Sequence, residues 1–274
     1  MSEHIFDKYM RTEKLPHMWC AGCGNGIVTQ AIIRAIDKTG IDQNDIVLVS
    51  GIGCTCRANG YMDFCGMHTN HGRAIAYATG VKMANPKLKV IVITGDGDAA
   101  SIGGNHFIHA ARRNIDMTVV VYNNYNYGMT GGQYSPTTLT NAYTKTSVYG
   151  NIEPQFDICA LAQASGATYV ARSTTYHVAM LTKQIETAIN HEGFSVVEAM
   201  CDCPTLFGRL NKRGNAAQMV LRWKDTAVNI AKSKTMTEEE LQDKVIIGEF
   251  VNRTDRKEYT KLYDELTERA KGGK

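Results

Sequence analysis

Two residues able to hold a hard metal ion stand at the ends of two apolar runs. Asp96 lies in Gly95-Asp96-Gly97, after the β-branched residues 90–94, and Asn124 closes Asn123-Asn124, after residues 117–122. Both runs read as buried strands, and the intervening residues 105–113, preceded by Gly103-Gly104, read as a helix. A strand–helix–strand unit predicts a right-handed parallel crossover, with neighbouring strand ends about 4.8 Å apart. Asp96 and Asn124 would then face each other at the edge where open α/β sheets bind ligands. One charged and one neutral oxygen donor suit Mg²⁺, and the backbone carbonyl of Asn126 would add a third. The glycines let the chain approach a diphosphate closely, and the helix N-terminus beyond them can donate N–H groups to it. Read alone, the same residues are also ordinary turn chemistry.

The cysteines are the second signal. Of eight in the chain, Cys20 and Cys23 form C-x-x-C in a glycine-rich turn, Cys54 follows a strand (residues 45–51), and Cys203 follows the last strand (195–200). Four thiolates gathered at such ends can hold a [4Fe–4S] cluster or a tetrahedral zinc, and C-x-x-C alone can serve as a redox pair. Cys56 and Cys201 lie two residues from the third and fourth of these positions. Cys65 and Cys159 read as bystanders, the latter as a small hydrophobe in an apolar helix.

A chain of 274 residues is long enough for a substantial core, and its formal charge of +3 suggests neither nucleic acid nor a membrane surface as partner. No apolar run approaches the roughly 20 residues that span a bilayer. Residues 1–14 are charged and lack the apolar segment of an export signal, which, with cysteines suited to metal binding, points to the cytoplasm.

Gly95-Asp96-Gly97 with Asn123-Asn124 at this separation resembles the thiamine diphosphate motif, in which the Asp and the second Asn hold the Mg²⁺ of the cofactor. With the continuation Tyr127-Gly128-Met129-Thr130-Gly131-Gly132-Gln133-Tyr134-Ser135-Pro136-Thr137-Thr138, the chain resembles the β subunits of 2-oxoacid:ferredoxin oxidoreductases, above all the 2-oxoglutarate type. The resemblance covers most of residues 15–210. It implies an α/β fold: an open, mostly parallel sheet with helices on both faces, the diphosphate-binding form of the thiamine-diphosphate fold. It implies cofactor contacts from Gly53, Cys54, His71, Gly95, Asp96, Gly97, Asp98, Asn124, Asn126, Gly128, Met129 and Thr130, with Mg²⁺ on Asp96, Asn124 and Asn126. The cluster ligands it implies are Cys20, Cys23, Cys54 and Cys203, which favours iron–sulfur over zinc.

Within that pocket, His71 of His71-Gly72-Arg73 would bond the diphosphate or polarise the substrate carbonyl, unless it only caps a helix entry. Arg57 would pair with the 2-oxoacid carboxylate, unless it is a solvated surface residue. Thr130, Gly131 and Gln133 would line the substrate and diphosphate pocket. The implied reaction is oxidative decarboxylation of a 2-oxoacid with coenzyme A, delivering electrons to ferredoxin, or its reverse. 2-Oxoglutarate is the expected substrate, with pyruvate or another 2-oxoacid as the alternative. The carboxylate that must face the pyrimidine ring matches nothing in this chain; in the resembling family it lies on an α subunit, so an α₂β₂ assembly is implied. A non-oxidative thiamine enzyme would not need the cysteines, and a zinc-stabilised binding module would need no cofactor.

In chain order, residues 1–16 read as a polar, irregular arm and 17–211 as the cofactor-binding domain. Helices are expected at 27–38, 74–84, 156–165 and 178–190, and a further strand at 167–171. Residues 123–153 form a long loop without periodicity, and 212–274 read as a charged helical extension in which Thr237-Glu238-Glu239-Glu240 looks like a capping box.

Overall fold

The computed structural model describes residues 4–272. Four runs rich in Val and Ile form the sheet's centre: β1 (Ile46–Ser50), β3 (Lys89–Gly95), β4 (Met117–Asn123) and β6 (Phe194–Met200). Their side chains are buried almost throughout, the pattern of parallel strands covered on both faces. With β2 (Cys65–His68), β5 (Tyr169–Thr174), β7 (Ala227–Asn229) and β8 (Val245–Asn252), they make an eight-stranded sheet of order β2-β1-β3-β4-β6-β5-β8-β7. Only the β5–β8 pairing is antiparallel.

The helices are α1 (Ile5–Tyr9), α2 (Asn25–Thr39), α3 (Ala58–Tyr61), α4 (Ala74–Ala84), α5 (Gly104–Arg113), α6 (Ile158–Ala164), α7 (Val178–Asn190), α8 (Ala216–Thr226), α9 (Ile230–Ser233), α10 (Glu238–Leu241) and α11 (Tyr259–Lys271). Ile32 and Ile36 of α2 and Leu181 and Ile185 of α7 share one core with Leu48, Ile91 and Val197. Ala78 of α4, Phe107 of α5 and Ile158 of α6 share a second core with Val49, Val92 and Val119. The strands are common to both, so the sheet separates two helical layers, as the resemblance implied. Gly40, in the left-handed region at φ 67°, ends α2, where a Cβ would be strained.

Both termini differ from the sequence-based expectation. Residues 1–3 of the expected arm lie outside the described residues. Beyond them, Ile5–Tyr9 is helical and docks on its own domain: Tyr9 is buried, and its hydroxyl donates to Asp37 over 3.2 Å. Hydrophobic Ile5, Tyr9 and Met10 drive this contact, which a polarity count hides. Residues 212–272 are not only helical, because β7 and β8 extend the sheet beyond β5. The capping box forms as expected: Glu240 N–H donates to Thr237 Oγ1, and Thr237 N–H to the Glu240 carboxylate.

A buried ionic network fastens this extension to the sheet's centre. Glu198 accepts from Arg172 Nε at 2.6 Å and from Asn123 Nδ2 at 2.8 Å, while Arg172 also donates to the Ile246 carbonyl of β8 and to Asp157. Removing one partner of a buried pair strands the other's charge. Glu198→Ala is therefore expected to cost about 3–5 kcal/mol in urea unfolding. Glu198→Gln, which keeps the side-chain shape and one acceptor oxygen but sets an NH₂ against the other donor, should cost less; equal tolerance of both would show that the network does not stabilise the fold.

Candidate active site

The β3–β4 crossover is parallel, with Gly95 paired to Tyr122. Asp96 and Asn124, one and two residues further on, both line a single cleft of about 520 Å³ at the C-terminal edge of the sheet. Gly53, Cys54, His71, Gly95, Gly97, Asp98, Asn126, Gly128, Met129 and Thr130 line it as well. Every residue of the expected cofactor set is thus brought together. Arg57 is not: it sits exposed on the turn Thr55–Arg57 and is absent from the cleft lining. Gly131 and Gln133 are not in the lining, and Gln133 is held by Thr130 Oγ1 at 2.6 Å.

Asp96 is buried, and one carboxylate oxygen accepts from both Ser135 Oγ and Thr137 Oγ1 at 2.5 Å. Burial pushes its carboxyl up to about 6, the two hydroxyls and nearby backbone N–H groups drawing it only partly back. No cationic side chain pairs with it among the described residues. A buried carboxylate without a counter-ion, beside two Asn side chains, suits a divalent cation. The backbone carbonyl of Asn126 accepts no hydrogen bond among the described residues and remains available as a further donor. The donor set therefore fits Mg²⁺ with a diphosphate. At Gly97 a Cβ would run into the Tyr127 ring, so glycine there lets that ring pack against the turn.

Asp98 lines the cleft as well. Its carboxylate is bonded within the protein: His71 Nδ1 at 2.5 Å, Gly72 N–H at 2.7 Å, Thr94 Oγ1 at 2.7 Å and Ile52 N–H at 3.2 Å. Burial would raise its carboxyl, but these donors together hold it below the ordinary range. With Nδ1 engaged, His71 keeps Nε2 as its free nitrogen, and the bond to Asp98 fixes the ring.

A second cavity shares a wall with the first. Cys20, Cys23, Cys54 and Cys203 all line it with Met18, Trp19 and Leu206, and Cys54, Asn124 and Gly128 belong to both cavities. The two neighbouring cysteines point elsewhere. Cys201 is buried, its thiol donating to Asn25 Oδ1 at 3.3 Å, and Cys56 is buried with its thiol toward Asp98 and the Ile93 carbonyl. Burial first, then mutual repulsion among the cavity thiols, raises Cys23 to about 12 and Cys54 to about 11. Crowded thiols that resist ionisation alone are what a metal centre would relieve. Among the described residues, the group of acidic, Cys or His ligand atoms within 4.8 Å of one another is Asp157, Cys159 and Glu198. The four thiols are thus spread more widely than the roughly 3.8 Å of a tetrahedral zinc site with 2.3 Å bonds. That spread, in an apolar wall, fits a larger cluster.

Ser135 and Thr137, which hold Asp96, carry no role in the sequence-based reading. Their signal is the Ser-Pro-Thr-Thr turn, but its target lies some 40 residues upstream in sequence. Thr55, Ile52 and Tyr127, also in the lining, are likewise found only by folding.

Fold and cleft define a thiamine-diphosphate-binding protein. The family profile "Thiamine pyrophosphate enzyme, C-terminal TPP binding domain" matches residues 51–199. 2-Oxoglutarate synthase subunit KorB of Methanothermobacter thermautotrophicus is 49% identical, across 92% of this chain and 88% of that protein. The KorB subunit of Methanocaldococcus jannaschii is 48% identical, across 96% of this chain and 97% of its own length. A solved structure, "2-oxoglutarate:ferredoxin oxidoreductase from Magnetococcus marinus with 2-oxoglutarate, coenzyme A and succinyl-CoA bound", superimposes with a TM-score of 0.87 at 33% identity, covering 100% of this chain and 93% of that one. The chain belongs to the KorB family of 2-oxoglutarate synthase subunits. It is one subunit of a multi-subunit oxidoreductase.

The environments of the thiols predict their order of reaction. In cluster-free chain treated with iodoacetamide near pH 8, exposed Cys20 and Cys65 should be alkylated first. Buried Cys56, Cys159 and Cys201, whose thiols burial pushes far up, should react only after denaturation. Peptide mass spectrometry reads this directly, and early labelling of Cys201 would contradict its placement.

Proposed function

We propose that this chain is the β subunit of a 2-oxoglutarate:ferredoxin oxidoreductase, converting 2-oxoglutarate and coenzyme A to succinyl-CoA and CO₂ with reduction of ferredoxin, or running the reverse. The observation that carries the reading is the wall of Cys54, Asn124 and Gly128 common to the two cavities. A cluster held by the four thiols would then lie beside the place where decarboxylation would occur. When bound, thiamine diphosphate supplies the nucleophilic carbon, and a [4Fe–4S] cluster on Cys20, Cys23, Cys54 and Cys203 supplies a one-electron acceptor.

The chain's own residues do the rest. Asp96, Asn124 and the Asn126 carbonyl would hold Mg²⁺, and Ser135 and Thr137 keep the Asp96 carboxylate facing it. His71, fixed by Asp98, offers Nε2 to the diphosphate or the substrate oxygen. Gly97 and Tyr127 close one wall, and Thr130 and Met129 border the opening. Arg57 lies outside the cleft, so a role toward the 2-oxoacid carboxylate would belong to its rim. The pyrimidine-facing carboxylate would come from an α subunit in an α₂β₂ assembly, and the cytoplasm is the proposed site of action. No helix among the described residues is long and apolar enough to cross a membrane.

Three experiments test this. Asp96→Ala, purified with its partner, should lose bound thiamine diphosphate and Mg²⁺ while keeping its far-ultraviolet circular dichroism; stoichiometric retention of both would remove Asp96 from the site. Anaerobically purified protein should be brown, and iron analysis should show loss in Cys203→Ala but not in Cys201→Ala; the opposite pattern would shift the fourth ligand by two residues. The chain alone should reduce viologen negligibly with 2-oxoglutarate and coenzyme A, and rates matching the heteromer would refute the shared-site reading. Zinc in place of iron would instead favour a structural module.

A further inference from the structure

Beyond the Tyr125–Phe207 contact, away from the cofactor cleft, lies a second polar cleft at the same edge of the sheet. It is lined by Thr140, Asn141, Lys212, Arg213, Arg222 and Asp243, among others. Its walls are the loop after β4 and the segment that joins the turn Pro204–Gly208 to α8. Three cationic side chains meet one carboxylate there. None of the three makes an ion pair among the described residues. Asp202, the other acid near Arg213, is buried beneath and already bonded to Thr175 and Trp223.

Arg213 is half-buried, with its guanidinium 5.0 Å from the Phe207 ring centroid, which holds the fork in place before any ligand arrives. Burial, and then the neighbouring Arg222, push this guanidinium below its ordinary range, while Tyr125, Asp202 and Asp243 draw it partly back. The backbone turns sharply in the same walls. Asn141, Lys212 and Asp243 all have left-handed φ angles, of 65°, 52° and 60°. They line the same cleft. Lys212 takes that conformation at the end of the preceding helical turn, where its N–H donates to the Arg209 carbonyl and the Arg213 N–H to the Gly208 carbonyl, which sets Arg213 into the cleft wall.

We propose that this cleft is a binding site for the phosphate groups of an organic phosphate. Paired guanidinium groups match phosphate oxygens in bidentate geometry, and the lysine adds a point charge. The asparagine and threonine side chains offer neutral donors beside them. The ligand could be coenzyme A, which carries a diphosphate and a phosphate monoester, or a separate phosphorylated metabolite. The first source rests on the proposed reaction; the site itself does not.

The test is calorimetric titration of inorganic pyrophosphate into the purified heteromer, already saturated with thiamine diphosphate and Mg²⁺ so that the cofactor cleft is filled. The wild-type protein should bind, and Lys212→Asn with Arg222→Gln should weaken binding by about tenfold or more, since each removes one charge-assisted contact. Both positions are exposed, and asparagine accepts the left-handed backbone at 212. Asp243→Asn, which removes the opposing charge, should tighten binding. Coenzyme A that displaces pyrophosphate, with a raised KM for coenzyme A but not for 2-oxoglutarate in the double variant, identifies the coenzyme as the source. Pyrophosphate binding that coenzyme A leaves undisturbed identifies a separate phosphate ligand. Wild-type protein that takes up no pyrophosphate at millimolar concentration, or double variant that binds it equally well, overturns the proposal.

Discussion

The parallel pairing of β3 with β4 is the constraint on which the site depends. With Gly95 opposite Tyr122, the two chains leave the sheet side by side, and residues 28 apart in sequence enter one cleft. A slip of one residue would turn every side chain of β4 to the other face, so the hydrophobic demand for two buried faces also fixes the position of Asn124. Val92 and Val119 face one helical layer, Ile91 and Val120 the other. The register is specified twice over.

Two carboxylates just beyond β3 show how environment divides labour between like groups. Asp96 has hydroxyl donors and no cation, and burial leaves its carboxyl high. Asp98 has a histidine, a threonine and two backbone N–H groups, and its carboxyl is held low. The first is incomplete as it stands, which suits a metal ligand. The second is complete, and it ties the loop at Ile52, the His71-Gly72 turn and β3 into one frame. The helical turn Asp98–Ile102, wound more widely than an α-helix, lets this carboxylate reach back beneath the cleft before α5 begins.

The far side of the sheet is held by polar as well as apolar contacts. Glu198 links β6 to Asn123 at the end of β4 and, through Arg172, to the carbonyl of Ile246 in β8. The C-terminal strands are therefore coupled to the residue beside Asn124. Tyr125, left-handed at φ 65°, turns the chain there and packs on Phe207, which follows Cys203. The cofactor loop and the cysteine-bearing turn thus rest on one another, and each helps to hold the other in place.

Much of this was written locally in the chain. The strands announce themselves because burial on both faces demands continuous Val and Ile, and α4 and α7 run over the expected residues. The Gly-Asp-Gly and Asn-Asn pairs and the four spaced cysteines are legible because metal and diphosphate chemistry needs those types at strand ends. What only the tertiary structure decided are the partnerships between residues distant in sequence. Ser135 and Thr137 reach Asp96 across the long loop, Cys201 and Cys56 turn away from the cavity that Cys203 and Cys54 line, and Arg57 stays at the surface. The apolar side of α1 was hidden among charged residues, and β8, one strand in from the edge, is only partly buried along a short apolar run inside a charged tail. Periodicity reports which face of an element is buried, but a side chain's partner is set by where the packed sheet brings the other end of the chain.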